Sequence, residues 1–220
     1  MSSPGDPLDI EFIRRALSLP RPGLTAQLLM CPRPRTPGVT APARYRDGGV
    51  LLLLYPRNGS LHLVLTRRCD HLSAHAGQIS LPGGLQEPHD RSLIETALRE
   101  TQEELGLDTA GLELLGPLTP LEIPVSGYRI HPWVAYSPTA PAFDPDPDEV
   151  AELLEVRLSD LLDPLLAGVE TRPIRGYQVE VPFYRLGAHK VWGATAMVLS
   201  EFLALVREAQ KGAGVGASGE

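Results

Sequence analysis

The chain has 220 residues, 43% hydrophobic and 21% charged, a composition typical of a folded globular domain. A formal net charge of −7 leaves no basic surplus, which argues against sequence-independent binding of nucleic acid. Cys31 and Cys69 are the only cysteines, too few for a disulfide framework. The first residues lack signal-peptide character, and the longest apolar run, GGVLLLLYP, is too short to span a bilayer. We therefore expect a cytoplasmic protein without membrane association.

The N-terminal segment predicts one short helix and an extended arm. Ile10, Ile13, Ala16 and Leu17 recur at helical spacing, and Pro20 ends the pattern. Residues 20–44 are rich in Pro, Arg and Thr, which favours an extended connection.

A β-hairpin followed by a helix is predicted in the middle of the chain. Strands at 49–55 and 61–67 flank a strong Asn-Gly turn, and a short strand is expected near QISLP. A helix fits residues 91–105, with Asp90 as N-cap and Gly106 as its end.

The second half alternates between strand-like and helical patterns. Strand-like segments are LELLGPLTPLEI, YRIHPWVAYS and YQVEVPFYRL, and LSDLLDPLLAG predicts a short helix with a Pro break. A long helix covers 191–210, and residues 211–220 are expected to be a flexible tail. The absence of regular βαβ alternation favours a mixed sheet with helices on both faces. We expect one domain over residues 1–220 with its core at about 45–205.

The segment ALRETQEELGL places three glutamates on one helix surface. Glu100 and Glu104 are one turn apart, and Glu103 lies beside them. An apolar stripe on the opposite side would fix the direction of this acidic face. Mg²⁺ and Mn²⁺ prefer carboxylate oxygen, and the glycine pair ending at Gly84 would let a backbone carbonyl approach as a further ligand. A solvated charged face is the simpler interpretation of the same pattern.

The wider segment 84–107 resembles the Nudix box, the signature of the Nudix hydrolases. The positions that match directly are Arg99, Glu100, Glu103, Glu104, Gly106 and Leu107. Thr101 occupies a position that is usually aliphatic, and the stretch before the helix is one residue longer than the signature. Both Glu87 and Asp90 are therefore eligible for the first acidic position.

The preceding segment, VLTRRCDHLSAHAGQISLPGG, resembles the extra motif of the Nudix subfamily that hydrolyses coenzyme A. The matching positions are Leu65, Thr66, Arg68, Gly77, Pro82, Gly83 and Gly84. Ser73 stands where this motif has a second arginine, and Leu81 stands where it has phenylalanine. The resemblance extends over about residues 48–200.

These resemblances imply an α/β/α sandwich that hydrolyses the pyrophosphate bond of coenzyme A with Mg²⁺ or Mn²⁺. Metal ligands would be Glu100, Glu103, Glu104 and Gly84, and catalytic residues Glu103, Arg99 and Glu149. The neighbouring Asp148 is an alternative to Glu149 as the general base, and Glu122 is a weaker candidate for the same role.

Substrate-binding candidates are Arg68, Arg67 and His75. Adjacent strand residues point to opposite faces, so at most one of Arg67 and Arg68 faces the site. Arg68 is favoured because it matches the motif of the coenzyme A subfamily. The rival functions are a Nudix hydrolase of ADP-ribose or a dinucleotide, and a non-catalytic nucleotide-binding module. Either terminal helix could support a homodimer.

Overall fold

Two β-sheets and five α-helices form the fold of the computed structural model, which describes residues 8–34, 40–72 and 75–215. The larger sheet contains β1 (Arg46–Arg57), β2 (Ser60–Arg68), β3 (Ile79–Ser80), β4 (Gly83–Leu85), β5 (Glu113–Pro117), β6 (Leu121–Ile123), β7 (Tyr128–Tyr136) and β8 (Val150–Arg157). The smaller sheet contains β9 (Ala167–Ile174), β10 (Tyr177–Leu186) and β11 (His189–Trp192). The helices are α1 (Ile10–Ser18), α2 (Leu24–Gln27), α3 (Leu93–Leu105), α4 (Leu158–Leu161) and α5 (Gly193–Val215), with 3₁₀ turns at Leu28–Met30 and Pro164–Leu166.

The larger sheet mixes parallel and antiparallel pairings, as predicted. Its main order is β3-β2-β1-β7-β5, and β4, β6 and β8 pair with β1, β7 and β2 respectively. Only the β1–β7 pairing is parallel among the described strands of this sheet. The predicted hairpin joins β1 to β2, with Asn58 and Gly59 at positive φ.

Strand β1 divides the core into two layers because its side chains alternate between the two faces of the sheet. Leu51, Leu53 and Tyr55 pack with residues of α3 on one face. Leu52 and Leu54 belong to the core on the other face, which also contains buried residues of α1 and α5. This confirms the α/β/α arrangement. Apolar residues of both terminal helices, α1 and α5, are buried in the core of the same chain.

Several local predictions were wrong. The N-cap of α3 is Ser92 rather than Asp90, because the Ser92 hydroxyl accepts a hydrogen bond from the Glu95 amide. The arm over 20–44 is not wholly extended, since it contains α2 and a 3₁₀ turn. Edge strand β9 was missed because its exposed alternate residues resemble a loop.

The C-terminal helix is longer than predicted. It continues through residues 211–215, where a flexible tail was expected, and residues 216–220 lie outside the described part of the chain. Within the described ranges, no helix has the length and apolar character needed to cross a membrane.

Candidate active site

Helix α3 presents its glutamates in a fixed direction because its other side is buried. Ala97 and Leu105 pack against the large sheet. The helix ends at Gly106, whose φ of 64° is left-handed and whose amide bonds the carbonyl of Gln102. An added Cβ at Gly106 would collide with the backbone of Asp144, so glycine is required for the turn and for the close approach of this loop.

Asp90 anchors the arginine of the helix. Its carboxylate is 3% exposed and accepts hydrogen bonds from Arg99 Nε and Nη2, each at 3.0 Å. It also accepts from the Thr96 hydroxyl and the Glu87 amide. The Arg99 guanidinium holds the pKa of Asp90 far below its usual range. The Glu87 side chain is exposed and its ion-pair contact is with His89. Asp90, not Glu87, therefore occupies the position beside the box arginine.

Arg99 also contacts two of the three helix glutamates. Its Nη1 lies 3.0 Å from Glu100 Oε1 and 2.8 Å from Glu103 Oε2. Because Asp90 fixes the other side of the guanidinium, Arg99 links a buried acid to the two acids of the helix surface.

Gly84 allows the Glu100 carboxylate to lie against strand β4. A Cβ atom added to Gly84 would be 2.5 Å from both oxygens of Glu100, a distance that side chains do not tolerate. The Gly84 carbonyl oxygen lies beside Gly48 of the neighbouring strand. Burial raises the pKa of Glu100 and Arg99 opposes this effect.

Glu104 is the most buried acid of the cluster. Its side chain is 3% exposed, and its Oε2 atom has no hydrogen-bond partner within the described part of the chain. Burial, with smaller contributions from Glu149 and Glu100, raises the pKa of Glu104 to about 8, and Arg68 opposes this shift. An unpartnered buried carboxylate oxygen is costly unless another group satisfies it.

Arg68 brings Glu149 to the cluster. Its Nη1 lies 3.5 Å from Glu104 Oε1 and 3.8 Å from Glu149 Oε2. The loop that carries Glu149 is tied down at two points, because the Cys69 amide donates to the Glu149 carbonyl and the Asp146 amide donates to the Glu104 carbonyl. The pairing of β2 with β8 also shifts register between Arg67 and Arg68, an irregularity often found beside active sites.

Other predicted site residues lie elsewhere. Arg67 pairs with Asp70, with 2.7 Å between Nη2 and Oδ1, and Glu122 lies 4.0 Å from Arg129. The exposed His75 contacts Gln78. Asp148 is also exposed and its backbone amide donates to Asp146. Ser73 lies outside the described residues.

The donor chemistry of the cluster suits a hard divalent cation, since it consists of carboxylates with one unpartnered oxygen. Among residues 8–34, 40–72 and 75–215, however, no three acidic, histidine or cysteine side chains already converge on one point. Arg99 and Arg68 hold the carboxylates in separate pairs. Glu103 is 59% exposed and can change rotamer without disturbing the core. The residues therefore fit a cation after side-chain rotation.

Comparison with known sequences and structures identifies the family. The NUDIX domain matches residues 45–175, which include the whole glutamate cluster. The chain belongs to the Nudix family. It is 39% identical over 141 residues to a protein of Photorhabdus laumondii named "Uncharacterized Nudix hydrolase NudL", covering 63% of this chain and 74% of that one. A protein of the same name from Pectobacterium atrosepticum is 40% identical over 144 residues, covering 63% and 72%.

A solved Nudix hydrolase from M. smegmatis, RenU, has the same fold. The TM-score is 0.50 at 18% identity, over 76% of this chain and 86% of that structure. Because the chain belongs to the Nudix family and its sequence relatives are named Nudix hydrolases, it is an enzyme that acts on pyrophosphate bonds. Nudix hydrolases generally use divalent metal ions such as Mg²⁺ or Mn²⁺.

Proposed function

We propose that this Nudix hydrolase cleaves the pyrophosphate bond of coenzyme A or its derivatives, giving phosphopantetheine and adenosine 3′,5′-bisphosphate. The observation that carries the proposal is the position of Arg68, the arginine of the LTRR segment, between Glu104 and Glu149. This segment resembles the motif of the coenzyme A subfamily, and its arginine adjoins the carboxylates of the box.

One departure from that motif has a structural explanation. Leu81 is 4% exposed and packs in the core on the α5 side of the sheet. Leu81 lies between β3 and β4, and its replacement of phenylalanine therefore concerns core packing and does not argue against the coenzyme A assignment.

Each residue of the cluster has a distinct proposed role. Glu100, Glu103 and Glu104, beside the backbone of Gly84, would hold Mg²⁺ or Mn²⁺. The bound cation would supply positive charge to the pyrophosphate oxygens and lower the pKa of a bound water. Arg99 would orient Glu100, with Asp90 fixing its guanidinium, while the exposed Glu103 side chain rotates towards the cation.

Glu149 is the proposed general base, because it faces the cluster and its loop is anchored by backbone hydrogen bonds. It would accept the proton of the attacking water. The planar guanidinium of Arg68 suits a bidentate contact with phosphate and would bind the substrate there.

Turnover of coenzyme A and ADP-ribose with Mn²⁺ or Mg²⁺ tests the proposal. We expect coenzyme A to have the higher kcat/KM, and faster turnover of ADP-ribose or a dinucleotide would instead support the rival substrate class. Glu104→Gln should lower kcat by about 10³-fold, since several kcal/mol of charge stabilisation would be lost. Glu149→Gln should lower it by about 10²-fold or more.

Asp148→Gln is the matched control for Glu149→Gln, because Asp148 is an exposed neighbour on the same loop. Full activity of Glu104→Gln would contradict the metal site. A larger effect at Asp148 than at Glu149 would move the base role to Asp148.

A further inference from the structure

A concave site lies at the junction of the two sheets. It is an open cleft of about 450 Å³ between the loop that leads into β3 and the β10–β11 hairpin. We call it the β11 cleft. Its principal lining residues are Ala76–Ile79, Arg172, His189, Lys190 and Trp192. None of the box glutamates belongs to this lining.

The cleft carries a prearranged pair of cations. Arg172 and Lys190 both donate to the carboxylate of Glu170. The hydrogen bond from Lys190 is the main cause of the lowered pKa of Glu170, so this carboxylate is ionised at neutral pH. Two cations share one anion, which leaves one surplus positive charge.

Both cations retain free donor capacity after this pairing. An arginine guanidinium has five N–H donors and a lysine ammonium has three. The hydrogen bonds and ion pairs to Glu170 occupy only some of these donors. Glu170 therefore fixes the direction of two groups that can still bind a further anion.

Other polar groups beside the cleft already have partners. His189 contacts Glu152, and Arg67 pairs with Asp70 next to Gly77. They leave Arg172 and Lys190 as the groups that can attract an anion into the cleft.

Trp192 adds an aromatic surface to the same cleft. It is half-buried, and the guanidinium carbon of Arg172 lies 5.1 Å from its ring centroid. Nucleobases stack on exposed aromatic and guanidinium planes. An arginine, a lysine and an indole in one open cleft thus match the chemistry of a phosphorylated nucleoside.

The cleft is connected to the glutamate cluster through one residue. The amide of Gly77, which lines the cleft, donates to the carbonyl of Arg68 at 3.1 Å. The Arg68 side chain reaches Glu104 and Glu149 on the other side. A substrate with its pyrophosphate at the cluster could therefore extend past this strand end into the cleft.

We propose that the β11 cleft binds the phosphorylated nucleoside end of the substrate, with Arg172 and Lys190 on a phosphate monoester outside the pyrophosphate and Trp192 against the base. This inference rests on the proposed function, because coenzyme A carries such a 3′-phosphate. Dephospho-coenzyme A and ADP-ribose lack it. The cleft would therefore select among substrates that the glutamate cluster cleaves equally well.

The test is the ratio of kcat/KM for coenzyme A to that for dephospho-coenzyme A. A ratio within one preparation is independent of the fraction of folded enzyme. We expect the unmodified protein to favour coenzyme A by at least about tenfold, the effect of one charge-assisted hydrogen bond. Arg172→Gln and Lys190→Gln should each bring the ratio close to one. The matched control is Lys211→Gln, which removes the only other lysine, an exposed partner of Glu208.

Three results would overturn the inference while leaving the proposed function intact. One is equal kcat/KM for the two substrates in the unmodified protein. Another is a preference for coenzyme A that persists in both cleft variants. A ratio that Lys211→Gln lowers as much as Lys190→Gln does would also contradict the site, since it would show an effect of net charge alone.

Failure of the proposed function would give a different pattern, in which neither compound is cleaved. Calorimetry with adenosine 3′,5′-bisphosphate and adenosine 5′-monophosphate then tests whether the cleft binds the 3′-phosphate. Tighter binding of the bisphosphate that Lys190→Gln abolishes would support the phosphate site. Equal binding of the two nucleotides would refute it.

Discussion

Replacing Asp90 by asparagine tests the arrangement that holds the glutamate cluster. The carboxylate accepts two hydrogen bonds from Arg99 and two from neutral donors, and it is 3% exposed. Asparagine offers one oxygen and turns an amide NH₂ towards the guanidinium. A hydrogen bond to a charged group contributes about 1.5–3 kcal/mol, and a broken buried pair costs about 3–5 kcal/mol. Arg99 keeps its contacts with Glu100 and Glu103, so we expect a loss of about 3 kcal/mol.

Urea unfolding at neutral pH measures this loss, and hydrolysis of coenzyme A with Mn²⁺ measures its consequence for the site. Turnover should fall by about 10- to 100-fold, as is typical for residues that orient metal ligands. Glu87→Gln is the matched control, because Glu87 is exposed and was equally eligible from the sequence. We expect it to stay within about 0.5 kcal/mol of the unmodified protein. The reasoning fails if Asp90→Asn is as stable and active as that control.

Three further predictions concern other parts of the fold. Gly84→Ala should displace the Glu100 carboxylate, because the added Cβ would collide with it. We expect Mn²⁺ binding measured by calorimetry to weaken by at least about tenfold. An unchanged Mn²⁺ affinity would contradict the close approach of Glu100 to Gly84. Asp47→Asn should lower the free energy of unfolding at pH 7, because Arg129 lowers the pKa of Asp47 to about 2. Solvent screens this partly exposed ion pair, so we expect a loss of only about 1 kcal/mol. This contribution is complete above about pH 5 and declines as the pH falls towards 2, so the variant and the unmodified protein should converge in acid unfolding curves. A difference in stability that stays constant over this range would be inconsistent with it. Glu201→Gln should cost about 2–3 kcal/mol in urea unfolding, because the fully buried Glu201 carboxylate accepts hydrogen bonds from three donor groups, namely the Gln27 amide and the backbone amide and hydroxyl of Thr119. A loss below about 0.5 kcal/mol would refute that role.

The sequence predicted the features that depend on neighbours in the chain. Helical spacing placed Glu100, Glu103 and Glu104 on one surface, and Gly106 marked the end of the helix. The alternation of adjacent strand residues indicated that Arg67 and Arg68 point to opposite faces. Such patterns can be recognised in a sequence because side-chain directions repeat with a fixed period within each helix or strand, whatever the rest of the fold.

Some local patterns still misled the prediction of caps and boundaries. Both Asp90 and Ser92 can cap a helix, and only the fold shows that Asp90 is engaged by Arg99. The edge strand β9 was not predicted because it contains no run of buried residues.

Only the tertiary structure decided which distant residues meet. The contact of Arg68 with Glu104 and Glu149 depends on the register between β2 and β8, which no single segment encodes. The β11 cleft likewise requires the smaller sheet to pack beside β3, which brings Arg172 and Lys190 next to Gly77. Local periodicity therefore determined the acidic helix face, whereas long-range strand pairing decided which arginine and which second acid adjoin it.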